Sequence, residues 1–435
     1  VTAPRPSQRR AAELRHARES LHLEWAYWRG EACRPVLEKH QSQVDSIVRQ
    51  LGASLAELDR DPSQVSELVL DLHHVWDFFR TKLALRYVQP VRPFLDAADE
   101  LAWAAYLPAV LAAGSRTTLR EPPLVFLDRG AMPFVSARGS SYRDLLPRDV
   151  RTGAGARAAS RLPFPVIGVP WYLSNHLPGA LLVAHEVGHA IEDDCGLTGE
   201  MSARLRGAGL PSTRLAEWER WLGEVFADVV ATVTCGAAYV AILLDAIATG
   251  SADGAGTQRY PPPPVRAQVC LAAAAHVRPP GQARQEWPLV PRPAAGSLPE
   301  VAPPGGTEQT EDEASAVVHA LTTGAYEGLG GRGLRDTLAH PDVARADIGA
   351  DRLLHGLDSA LSDARAVLAA AALAFVRDPS GYDHMAVQTR VIAEVLALRP
   401  KGPRAVKADP AARQTRDTHA GLALLGLLAD GVRVR

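Results

Sequence analysis

His185-Glu186-Val187-Gly188-His189 places two imidazoles and a carboxylate within five residues. On an α-helix, residues four apart stand one turn above each other, so His185 and His189 point the same way and can grip one metal ion. Glu186 projects to the side, where it can reach a water on that ion without ligating it. Zinc centres that hydrolyse substrates use this arrangement: the ion lowers the pKa of its water and the glutamate takes the proton. Two histidines leave the ion under-coordinated. One known solution needs a glycine three residues and a histidine six residues beyond the second histidine, but those positions hold Glu192 and Cys195. The other is a carboxylate on a second helix, and Trp218-Glu-Arg-Trp-Leu-Gly-Glu-Val-Phe-Ala-Asp228 offers one. Glu224 and Asp228 share a helical face. Glu224 can complete the ligand set, while Asp228 can accept the free ring N–H of a ligating histidine and fix its tautomer.

The elements that must position these groups can be read around them. Apolar Leu181 to Ala184 lead into the motif, Pro178 lies near the start of its helix and Gly196 is placed to stop it. Glu192, Asp193 and Asp194 stand at that helix's C-terminus, where the helix dipole disfavours acids. Asp193 is one turn beyond His189, and the expectation is a solvated acidic cluster rather than a rival ligand. Ahead of the motif, Pro123 to Asp128 and Phe134 to Ala137 read as short strands, and Arg138 to Arg161 as an exposed loop. Phe164 to Ser174 reads as a strand whose two prolines imply an edge or a bulge. Gly196 to Pro211 is a glycine-rich connection between the motif helices. Val229 to Leu244 runs sixteen residues without a charge. That is short of a membrane span and suits a buried helix beneath the site.

The combination H-E-x-G-H followed by E-x-x-A-D resembles the gluzincin metallopeptidases, the thermolysin-like group. The resemblance covers about residues 165–270. It implies zinc held by His185, His189 and Glu224, Glu186 as general base, and Asp228 hydrogen-bonded to a ligating histidine. It also implies an edge strand before the motif helix that pairs with extended substrate, and Phe164 to Ser174 stands in that place. An ordinary edge strand protected by its prolines explains the stretch equally. Several gluzincin groups carry a histidine-proline stretch followed by an arginine downstream. Here Tyr260 stands where that histidine falls, and Arg266 resembles the arginine. Tyr260 can serve as an oxyanion donor, but a rigid proline turn introducing a helix from Val265 to His276 explains the stretch as well. Tyr382 and His384, in the loop Asp378 to His384, resemble downstream transition-state donors. A plain turn in which Asp383 caps the next helix is the alternative.

Length and composition bound the rest. The 435 residues allow two or three domains, and the net charge of −2 gives no electrostatic case for nucleic acid. Cys33, Cys195, Cys235 and Cys270 lack any C-x-x-C spacing and read as free thiols of a reducing compartment. The first ten residues lack the apolar run of a secretory signal, so the expected location is the cytoplasm. Arginine outnumbers lysine and alanine is abundant, a bias that suits a GC-rich bacterial genome.

Helical periodicity marks Ala11 to Arg29, Val44 to Leu58, Val65 to Leu85 and Ala98 to Leu111. The adjacent His73 and His74 diverge by about 100° on a helix and cannot share a metal. Downstream, Ala314 to Leu321, Asp351 to Val376, His384 to Leu398 and Thr415 to Leu428 read as helices. The expected architecture is α+β and predominantly α-helical. A helical N-terminal region (1–115) precedes a zincin-like core with a small edge sheet (116–276), a Pro/Gly-rich linker (277–313) and a helical C-terminal region (314–435). The expected activity is peptide-bond hydrolysis with one Zn²⁺, a peptide or protein substrate and no membrane span. The open alternatives are a binding or regulatory protein on an inactive core, and a zinc hydrolase of a non-peptide amide or ester. Oligomeric state is not legible.

Overall fold

The computed structural model describes residues 5–58, 65–114, 121–138, 162–249, 260–277, 307–404 and 410–432. Helices dominate, with two small sheets. The first four helices are α1 (Pro6–Glu31), α2 (Gln41–Leu58), α3 (Val65–Ala84) and α4 (Arg92–Ala112). Strands β1 (Leu124–Asp128), β2 (Phe134–Ser136) and β3 (Val166–Pro170) follow, then α5 (Leu182–Cys195), α6 (Thr198–Arg206), α7 (Ser212–Cys235), α8 (Ala237–Thr249) and α9 (Pro263–Val277). The chain continues through α10 (Thr307–Thr323), a short hairpin of β4 (Ala325–Tyr326) and β5 (Arg332–Gly333), α11 (Leu334–Leu338), α12 (Ala346–Leu354), α13 (Ala364–Arg377), α14 (Pro379–His384), α15 (Val387–Leu398) and α16 (Pro410–Val432). No helix among the described residues is long and apolar enough to cross a membrane.

The three-stranded sheet separates two apolar cores, as the two-residue period of a strand requires. Val125, Leu127, Ile167 and Val169 face a large core with α4, α5, α7, α8 and α13. Leu124, Phe126 and Val166 face the other way, onto α1, α2 and α3. The last helix returns to this second layer: α16 lies along α2, where Asp417 accepts from Ser46 Oγ at 3.1 Å and Arg49 Nε at 2.7 Å. Helix α4 belongs instead to the first core and packs on α5. The helical layer over the sheet is therefore built from both ends of the chain.

The edge-strand expectation for Phe164 to Ser174 is corrected. β3 is the middle strand, parallel to β1 on one side and antiparallel to β2 on the other, and it is buried throughout. Pro165 precedes the strand and Pro170 ends it, so neither removes a ladder hydrogen bond from its interior. The edges are β1 and β2, and β2 packs against α5.

Other sequence readings shift where a single backbone position breaks a periodic run. Val229 to Leu244 is two helices, parted at Gly236 (φ 65°, ψ −152°), a conformation open essentially to glycine alone. Asp351 to Val376 is interrupted between α12 and α13, with Gly356 and Ala360 at positive φ. Asp378 to His384 forms the short helix α14 rather than a loop. Its cap is Asp378, which accepts from Gly381 N at 2.8 Å, whereas Asp383 lies inside it. The glycine-rich connection after Gly196 contains α6. Of the expected linker, 278–306 lies outside the described residues, and its acidic end is already helical in α10. There Glu313 is buried and accepts from Trp218 Nε1 at 2.9 Å and Arg214 Nε at 3.1 Å. Most of the expected exposed loop, 139–161, is likewise outside the described residues.

Candidate metal centre

A short 3₁₀ segment, Leu177–Leu181, feeds directly into α5, and the left-handed Gly196 (φ 66°) ends it with Leu197 N bonded to Glu192 O at 2.9 Å. α7 is anchored along its length by Trp218 and by its apolar face in the large core. The two helices cross at small residues, Gly188 on α5 and Ala227 on α7. A Cβ at Gly188 would lie 2.7 Å from the Ala227 Cα. That approach brings side chains from both helices to one point.

At that point the Glu224 Oε2 atom lies 3.3 Å from His185 Nε2 and 3.6 Å from His189 Nε2. One donor atom from each of the three residues falls within 4.8 Å of the others, and this is the one such His/Cys/Asp/Glu group found among the described residues. Ligands about 2.0–2.1 Å from a tetrahedral zinc stand about 3.3 Å apart, so the two distances from Glu224 and the N, N, O donor set fit that ion. His185, Glu186 and Glu224 are buried, and His189 is partly exposed.

Behind the triad, His185 Nδ1 lies 2.8 Å from Asp228 Oδ1. With Asp228 ionised, Nδ1 keeps its proton, so it is the neutral ring that presents the Nε2 lone pair to the triad. Asp228 is fully buried and receives three further bonds: Tyr239 Oη at 2.6 Å and Arg266 Nη2 at 2.7 Å onto Oδ1, and Arg266 Nε at 2.8 Å onto Oδ2.

The charges follow from these contacts. Burial works against the His185 cation, but Asp228 and Glu224 outweigh it and raise its pKa to about 9. Burial also pushes the Glu224 and Asp228 carboxyls up, yet the two histidines for Glu224, and Arg266 with His185 for Asp228, hold both well below the usual carboxylate range. Glu186 is different: burial raises its pKa, and the opposing pull of His185 and His189 does not cancel it. A carboxylate made more basic by burial is suited to accept a proton.

The structure gathers His185, Glu186, His189, Glu224, Asp228 and Arg266. It uses the Arg266 guanidinium as a two-pronged clamp on Asp228. Tyr260 is half-exposed just before α9. Tyr382 packs edge-on against Phe375, with ring centroids 5.5 Å apart, and its buried hydroxyl has no hydrogen-bond partner among the described residues. His384 is exposed at the end of α14. The solvated-cluster expectation for Glu192 to Asp194 is corrected at Asp194, which is buried and bonded to the Tyr106 hydroxyl and to Arg138 Nε, the latter at 3.0 Å. The acid is tolerated at the helix C-terminus because an arginine meets it. His73 Nε2 donates to the backbone carbonyl of Ala17 at 3.0 Å.

Sequence reasoning missed Tyr239, Tyr106 and Arg138. Tyr239 carried one usable signal: a lone phenol in an uncharged buried run must find a hydrogen-bond partner. No protein-family model, curated protein or solved structure matches this chain.

Proposed function

We propose that this chain is a zinc-dependent hydrolase of peptide bonds. The observation that carries the proposal is the convergence of His185, His189 and Glu224 from two helices, with Glu186 beside them and Asp228 fixing the His185 tautomer. Bound zinc supplies Lewis acidity toward a carbonyl and toward water. The chain's own groups do the remainder. Glu186 accepts the proton of the attacking water and returns it to the leaving amine. Asp228, clamped by Arg266, keeps His185 oriented. A peptide is favoured by β2, an antiparallel edge strand packed on the motif helix and suited to strand addition.

A second reading, hydrolysis of a small non-peptide amide or ester, is favoured by the low exposure of Glu186 and by the burial of every residue of β3. Metal analysis of the purified chain beside Glu224→Ala and Glu186→Gln tests the proposal. The expected result is about one zinc in the wild type and in Glu186→Gln, its loss in Glu224→Ala, and no hydrolysis by Glu186→Gln. Zinc lost from Glu186→Gln would make Glu186 a ligand and refute the assignment. Turnover of small amides with none of any peptide would select the second reading.

A further inference from the structure

Tyr239 lies eleven residues beyond Asp228, which in an unbroken helix is about 16 Å along the axis and out of reach. The break at Gly236 turns the chain, and the Tyr239 hydroxyl comes to 2.6 Å from Asp228 Oδ1 and 3.3 Å from His185 Nδ1. The tyrosine is fully buried. Asp228 then meets four donor contacts, about as many acceptor sites as a carboxylate offers. Two of the side chains that make them, Tyr239 on α8 and Arg266 on α9, come from helices that carry none of the three candidate ligands.

We propose that Tyr239 is a positioning residue of the metal centre: its hydroxyl pins Asp228 Oδ1 in line with His185 Nδ1, so that His185 keeps Nε2 turned toward His189 and Glu224. The metal readout of this role presupposes the zinc site proposed above, whereas the proton readout does not. Arg266 fixes the plane of the carboxylate through two nitrogens. Tyr239 adds a neutral donor on the same oxygen that His185 uses, restraining that oxygen without adding a second cation to a site meant to hold one.

A double-mutant cycle with Asp228→Asn separates this role from packing. Zinc affinity is measured by chelator competition, and the His185 Nδ1 proton by NMR of ¹⁵N-histidine-labelled metal-free protein. Tyr239→Phe is expected to weaken zinc binding about three- to thirtyfold in the native background, below the loss usual for a direct partner of a ligand. In the Asp228→Asn background the change should be within about twofold, because the shared partner is gone. The His185 Nδ1 resonance should shift in Tyr239→Phe. Equal losses in both backgrounds, or an unmoved resonance, overturn the proposal. Should Tyr239→Phe fail to fold, wild-type protein labelled with 3-fluorotyrosine supplies the same proton readout, and an unmoved His185 signal there overturns it too. A wild-type chain that binds no zinc but whose resonance shifts in Tyr239→Phe removes the zinc proposal and leaves the positioning role standing.

Discussion

Gly188 on α5 and Ala227 on α7 meet backbone to backbone. A methyl group at 188 would stand 2.7 Å from the Ala227 Cα, 3.1 Å from its Cβ and 3.2 Å from its carbonyl oxygen. None of these atoms is the movable end of a side chain, so a larger residue must part the helices. Because His185 and His189 sit on one helix and Glu224 on the other, parting the helices opens the triad.

Gly188→Ala is therefore expected to cost about 1–3 kcal/mol of stability through overpacking and to lower zinc affinity by more than about tenfold. Thermal melting and chelator competition check the two effects. Gly199→Ala is the control: it is exposed in the first turn of α6 with open space around it, and should leave metal binding unchanged. Full zinc affinity in Gly188→Ala would show that the triad does not depend on the close crossing.

Arg266 distinguishes two roles by one substitution. As a clamp on Asp228, its loss in Arg266→Met leaves a carboxylate buried without its cation, and zinc affinity should fall about ten- to a hundredfold. As an oxyanion donor it would instead lower kcat with the metal retained. Metal content and steady-state kinetics on the same preparation decide between them, and the first outcome is expected.

The metal-free site should respond to pH. An unfolded histidine titrates near 6.5, and folding raises His185 to about 9. Its pairing with Asp228 and Glu224 thus stabilises the metal-free fold fully below about pH 6.5, and the contribution fades as pH rises toward the folded value. A cation needs the neutral ring and displaces that proton. Zinc affinity should climb from pH 6.5 to 9, and the gap in Tm between loaded and stripped protein should widen over the same interval. A pH-independent gap would mean that His185 is already neutral without metal.

Stability away from the site should hinge on Arg86. Its Nη2 donates to Asp99 Oδ2 at 2.8 Å and to Val125 O at 2.6 Å, joining α4 to β1 in a fully buried pair. Arg86→Met leaves the buried Asp99 carboxylate with only the His40 imidazole, 3.2 Å away, in direct contact in place of a guanidinium, and should cost about 3–5 kcal/mol in urea unfolding, much of it recovered in Arg86→Met/Asp99→Leu. No recovery in the double variant would mean that the bond to Val125, not the charge pair, carries the effect.

The sequence by itself determined where most of the long helices run and which residues are the chemical candidates. Periodicity is a local property, so α1 through α4 and the two motif helices are visible in the spacing of apolar residues. The four-residue separations of His185 from His189 and of Glu224 from Asp228 place each pair on one helical face before any packing is known. Tertiary structure alone decided where those faces point. Strand order is a long-range pairing that no short stretch encodes, which is why β3 reads as an edge and is in fact the centre of its sheet. The crossing of Gly188 with Ala227, the turn at Gly236 that returns Tyr239 to Asp228, and the burial of Asp194 against Arg138 and Tyr106 each join residues far apart in the chain. Such contacts depend on which surfaces the whole core brings together, and spacing along one helix does not record that.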